Sequence, residues 1–146
     1  MKSKVANRPP LRTDIWAALH LSSPGTEPHD YTRRQIPFAS FQSLADLLIT
    51  DLDMLGMCLG ISAKTLGKRA KSGLFSVRES KRLDVLISVV QSSIELFEGD
   101  VLAAAAFLRS PSRAFNLKAP LEMLDARGDA RAVIDLIGRL EHGIVV

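Results

Sequence analysis

No apolar run in this 146-residue chain approaches the roughly 18 residues that a membrane-spanning helix needs. The N-terminus also has no apolar segment of the kind that opens a secretory signal, so a cytoplasmic protein with no membrane contact is expected. The one cysteine, Cys58, has no partner for an intramolecular disulfide, which agrees with a reducing compartment. His20, His29 and His142 lack metal-ligand spacing, and Cys58 sits among apolar residues, so no metal site is expected. No phosphate loop and no serine or cysteine in a recognisable nucleophile setting is present; the chain therefore reads as a non-enzyme with no cofactor and no catalytic residue. Convincing alternation of apolar and polar residues is missing throughout, which excludes a β-fold and leaves an all-α class.

What is abundant is apolar residue content, 47%, enough to build a core. Charge is unevenly placed. Between Ser62 and Arg82 stand Lys64, Lys68, Arg69, Lys71, Arg78, Lys81 and Arg82 against the single acid Glu79, a local +6 within a chain of net +3. The remainder is net negative, so the basic character is a patch, as expected where a defined surface meets a polyanion.

Three segments follow from the order of breakers and apolar faces. Residues 1–37 read as a basic arm with Pro9-Pro10, a short helix capped by Thr13 and bearing Ile15, Trp16 and Leu19, and a loop around Pro24, Gly25 and Pro28. Residues 38–98 are helical. Phe41, Leu44, Ala45 and Leu48 make one face; Thr50 or Asp51 caps a helix carrying Leu52, Leu55 and Leu59, and Ser62 caps another that ends at Gly73. The helix from about Val77 to Glu98 is apolar on two sides. Leu83, Leu86, Ile87, Val90, Ile94 and Phe97 form one face, and Val85, Val89 and Leu96 a second, which predicts burial against another subunit in a homodimer. Residues 99–146 continue with a helix from Asp100 to Arg109, a short one at Pro120, and a final amphipathic helix with Ala130, Val133, Ile134, Ile137 and Leu140 on one side. Arg131, Asp135 and Arg139 stand four residues apart on the other and are spaced to pair.

The segment from Leu52 to Lys71 carries a helix-turn-helix pattern. Gly56 allows two helices to approach, Gly60 suits the turn, and Leu55, Leu59, Ile61 and Leu66 clamp them. The second helix then offers Lys64, Thr65, Lys68, Arg69 and Lys71 to DNA phosphates and base edges; a plain helical hairpin with a solvated basic face is the alternative. Arg69 occupies a position expected to be apolar, so either Ala70 takes its place or the arginine stem covers the core. Gly67 is unexpected inside such a helix, at a cost of about 1 kcal/mol relative to alanine. At the other end, the apolar run Ile144-Val145-Val146 after Gly143 either tucks onto its own domain or meets a partner.

Leu59-Gly-Ile-Ser62 with Thr65-Leu66, Glu79-Ser-Lys-Arg-Leu83, Phe97-Glu-Gly-Asp100, Ala106-Phe-Leu-Arg-Ser-Pro111, Pro120-Leu-Glu-Met-Leu-Asp125 and Leu136-Ile-Gly-Arg-Leu-Glu-His-Gly143 occur in the order of the Xre/MbcA/ParS antitoxin family, which the chain resembles. It departs from that pattern at Phe107-Leu108, where the family has Trp-Leu, and at Asn116-Leu117-Lys118, where it has a small pair such as Gly-Gly. The resemblance implies a Cro/Xre-like helix-turn-helix region followed by a small helical C-terminal toxin-binding domain. It further implies a cognate RES-domain toxin that consumes NAD or ADP-ribosylates a target, inhibition by covering the toxin's active site, and autoregulation through operator DNA. It tips the C-terminal tail towards the partner, with Arg139, Glu141, His142, Gly143, Ile144, Val145 and Val146 meeting the toxin. A stand-alone helix-turn-helix regulator with a helical dimerisation or sensing domain is the other function considered.

Overall fold

The computed structural model describes residues 14–22, 33–124 and 130–143. Seven α-helices occur among them: α1 (Ile15–Ala18), α2 (Phe38–Leu48), α3 (Leu52–Cys58), α4 (Ala63–Ser72), α5 (Val77–Leu96), α6 (Val101–Arg109) and α7 (Ala130–Glu141). Two single 3-10 turns, Arg113–Phe115 and Pro120–Met123, separate α6 from α7. Extended pairing among the described residues is confined to the isolated bridges Pro37–Leu74 and Ser112–Lys118, so the architecture is all-α. No helix among them is long and apolar enough to cross a membrane.

Local chemistry sets most boundaries. The side chains of Asp51, Ser62 and Asp100 accept hydrogen bonds from the backbone N–H groups of Met54, Thr65 and Ala103, satisfying donors that a helix start leaves open. At α1 this role falls to Asp14, which accepts from Ala17 N, rather than to Thr13, which lies outside the described residues. The expected basic arm of residues 1–12 lies outside them too. Ser76 and Glu79 form a reciprocal capping box at the start of α5.

Helix α5 is the axis of the fold, packed by α1, α6 and α7. That arrangement corrects the expected dimer face. Val89 is 0% exposed within the protomer and Leu96 is partly buried against the same core, which leaves only Val85, 41% exposed, on the surface. The helix is apolar on two sides because its own chain covers both. Helix α7 is likewise turned from expectation: Val133, Leu136 and Ile137 are buried, whereas Ile134 is 48% exposed. The residues 133, 136, 137 and 140 form the inward i, i+3, i+4, i+7 stripe, with Leu140 half-buried.

One cluster of buried side chains runs from Ile15 through Phe41, Leu66 and Leu86 to Ile137. Phe38, Phe41 and Phe75 meet with ring centroids 5.2–5.7 Å apart, where Phe38 N donates to Gly73 O and Phe75 N to Ile36 O. Phe97 and Phe107 pair at 5.7 Å, so the phenylalanine at the family's tryptophan position keeps a packed ring. Arg34 joins Asp84 in an ion pair and lies over the Trp16 ring, 5.4 Å from its centroid. The 3-10 turn at Pro120 touches α3, α6 and α7, which ties the N-terminal helices to the C-terminal ones.

Candidate functional site

The helix-turn-helix geometry depends on Gly56 and Gly60. A Cβ on Gly56 would stand 2.6 Å from Leu66 Cδ1 and 3.2 Å from the Ile61 carbonyl, so α3 and α4 meet as closely as they do only because that position is bare. Gly60 has φ 74°, the left-handed conformation that turns the chain between them, and Ile61 N donates to Gly56 O at 2.8 Å. Leu55, Leu59, Ile61 and Leu66 are all buried at the junction.

The basic patch divides into free and occupied cations. Lys64, Lys68 and Lys71 are exposed on one stripe of α4, together with Gly67, beside which an added Cβ would meet nothing within 4 Å. Thr65 is half-buried in the first turn of α4, where its hydroxyl accepts from the Oγ of the N-cap Ser62 at 3.1 Å. Arg69 is half-buried and is not replaced by Ala70. Ala70 is exposed, while the Arg69 guanidinium forks onto Glu79, with Nε to Oε1 at 2.7 Å and Nη2 to Oε2 at 3.0 Å. Arg82 also faces inward, donating to Leu59 O at 3.2 Å. Two of the expected polyanion contacts in the patch are therefore braces between helices. Arg78 and Lys81 remain exposed at the start of α5.

The Arg69–Glu79 pair carries an electrostatic signature. Partial burial pushes the Glu79 carboxyl up, but hydrogen bonds from Arg69 and Ser76 outweigh it and hold the group below the ordinary carboxylate range. The hydrogen bond to Glu79 raises the arginine in turn, against a smaller desolvation effect. At neutral pH both groups are charged.

The C-terminal residues are arranged differently. Arg139, Glu141, His142 and Gly143 are exposed, and Gly143 has φ 76° with open space around it. Ile144, Val145 and Val146 lie outside the described residues. The expected pairing along α7 is absent: the ion pairs among the described residues are Arg34–Asp84 and Arg69–Glu79, and neither Arg131 nor Arg139 reaches Asp135. These three side chains instead line a cleft of about 440 Å³ together with Phe115, Asn116 and Lys118. Lys118 and Arg131 were not singled out from sequence as partner contacts. The available signal was the departure at 116–118, which marks the loop lining that cleft.

Residues 92–143 match the family model described as the antitoxin Xre/MbcA/ParS C-terminal toxin-binding domain, beginning inside α5. A protein named Antitoxin Xre from Photorhabdus laumondii subsp. laumondii is 37% identical over 87 residues, and one of the same name from Yersinia enterocolitica serotype O:8 / biotype 1B is 34% identical over 86 residues. The alignments cover 59% of this chain and 59% of the first relative, and 58% of each for the second, so the chain spans under two thirds of the length of these curated relatives. Within an all-helical chain, the segment 92–143, with its packed Phe97–Phe107 pair and a cationic cleft on the last helix, is thus similar to the antitoxin Xre/MbcA/ParS C-terminal toxin-binding domain.

Proposed function

We propose that this chain is the antitoxin of a type II toxin–antitoxin pair, with a DNA-binding region at 38–98 and a toxin-binding region at 99–146. The observation that carries this is the family match of residues 92–143, whose description names toxin binding. Two relatives named Antitoxin Xre support it. The partner is a RES-domain toxin, as the resemblance of the C-terminal motifs implies. Inhibition is steric. Arg139, Glu141 and His142 contact the rim of the toxin's NAD pocket, Gly143 permits close backbone approach, and Ile144 to Val146 fill apolar space at the entrance.

DNA binding is proposed from the exposed stripe of Lys64, Lys68 and Lys71 on the second helix of a well-formed helix-turn-helix. Thr65 stands at the start of that helix, where base contacts are made. Gly67 gives this stripe a place where a phosphate backbone can come against bare main chain. Reading two half-sites about 34 Å apart requires a dimer. Of the residues expected to form it, Val85 alone retains the exposure that such a contact needs.

The test is a chain truncated after Leu140, co-expressed with its cognate RES-domain toxin. The truncated chain should stay helical by circular dichroism and keep operator affinity, yet fail to prevent growth arrest and NAD loss. Full protection by the folded truncation would place inhibition elsewhere on the C-terminal region. A stand-alone regulator predicts instead that the full chain gives no protection.

A further inference from the structure

The cleft between the 116–118 turn and α7 has three features that go beyond the tail mechanism, which uses only its Arg139. Its walls bring together Lys118, Arg131 and Arg139 from two separate elements, with Asp135 as the one acid. None of the three cations is in an ion pair among the described residues, although Asp135 lies one helical turn from each arginine. Cations that forgo an available i, i+4 partner face the opening with a net positive field.

The second feature is backbone strain. Asn116 and Leu117 are consecutive residues with φ 55° and 69°, a conformation that costs a leucine about 1 kcal/mol or more. Hydrogen bonds fix it: Ser112 N donates to Lys118 O and Leu117 N to Ser112 O. The turn gains no burial for Leu117, which is 68% exposed beside the cleft. An apolar side chain held out to solvent by a strained, closed loop is the geometry of a contact residue. The third feature is the floor, where Phe115 and Leu136 are buried and Met123 is half-buried.

We propose that this cleft is the docking site for an acidic segment of the toxin, with Lys118 and Arg131 receiving its carboxylates, Arg139 adding to the positive field at the edge it shares with the tail, and Leu117 covering apolar surface at the rim. This rests on the antitoxin reading and deepens it: the cleft docks the partner, and the tail beyond Leu140 blocks it. An aspartate or glutamate side chain suits the site because its apolar stem can lie on Phe115 and Met123 while its carboxylate meets Lys118 and Arg131. A free phosphate would sit against Asp135 with no such compensation. The DNA backbone presents phosphates along a convex surface, which a concave cleft meets poorly, and the lysine stripe of α4 suits it better.

The experiment uses the full chain and its purified cognate RES-domain toxin in a titration across salt concentrations. Lys118→Glu/Arg131→Glu should weaken the complex about 100-fold at low salt and flatten its salt dependence, with operator affinity unchanged. Lys118→Gln/Arg131→Gln should weaken it by about 10-fold, which guards against a folding defect in the reversed variant. The chain truncated after Leu140 should still bind the toxin while failing to inhibit it. Wild-type affinity and salt slope in both cleft variants would overturn the proposal, as would loss of operator binding with toxin affinity intact. Competition of inorganic pyrophosphate for the cleft without any effect on toxin binding would make it a small-anion site and overturn it too. Failure of the wild-type chain to bind the toxin would defeat the antitoxin reading itself, whereas tight binding that ignores the cleft defeats only the docking site.

Discussion

The basic patch around α4 and the cleft against α7 are both cationic, but they use charge differently. In the patch, Arg69 and Arg82 are tied to Glu79 and to Leu59 O, and Arg78 and the lysines face outward. In the cleft, an aspartate is within the spacing that would pair two arginines, and none of the three is paired. The difference teaches that local charge density is a poor guide to which cations are available. Arginine's planar fork makes it the better brace where a carboxylate can be met in two bonds, and lysine, with no such geometry, is left for solvent or a polyanion.

The largest expected effect breaks both surfaces at once. Val89 is fully buried on the helix that α1, α6 and α7 share, so Val89→Asp places an unpaired charge in the common core and should cost on the order of 4 kcal/mol. Unfolded or insoluble protein by circular dichroism is the expected outcome. A folded variant that had merely become monomeric would restore Val89 to a dimer interface.

The next effect separates free from occupied cations within the patch. Replacing Lys64, Lys68 and Lys71 by alanine should reduce the slope of log affinity against log salt by about three units in an operator shift assay, since each lost phosphate contact removes about 0.9. Arg69→Ala should lower the melting temperature and leave that slope nearly unchanged, because its guanidinium is already spent on Glu79. An arginine variant with the larger loss of slope would show that the brace opens when DNA binds.

The smallest effect concerns pH. The Glu79 carboxyl is held below its ordinary range, so its contribution to stability is present above the unfolded-state value and is lost as pH falls through the depressed one. Glu79→Gln should therefore lower the melting temperature at neutral pH and flatten its decline in acid below about pH 4, the range of unperturbed glutamates. Equal acid sensitivity in the variant and the wild type would mean that the pair contributes nothing measurable, as many exposed pairs do.

How much was legible in the sequence varies with the range of the interaction. The caps at Asp51, Ser62 and Asp100 and the turn at Gly60 are written locally, because each satisfies helix-end groups a few residues away or relieves one dihedral angle. Gly56 was also legible, since a close crossing leaves only one residue type possible. Periodicity found α5 and α7 but not which side of each meets its own chain. Periodicity alone therefore turns Val89 outward and Ile134 inward, the reverse of what packing does.

The sequence by itself determined the helical class, the ends of most helices, the helix-turn-helix and the motifs of the C-terminal family. Tertiary structure alone decided three things: that α5 is covered on both apolar sides, that Arg69 braces Glu79, and that Lys118 lines one cleft with Arg131 and Arg139. The physical reason is distance along the chain. Capping and turn energies are short-range and imprint on neighbouring residues, whereas burial and charge pairing depend on which segments the folded core brings together.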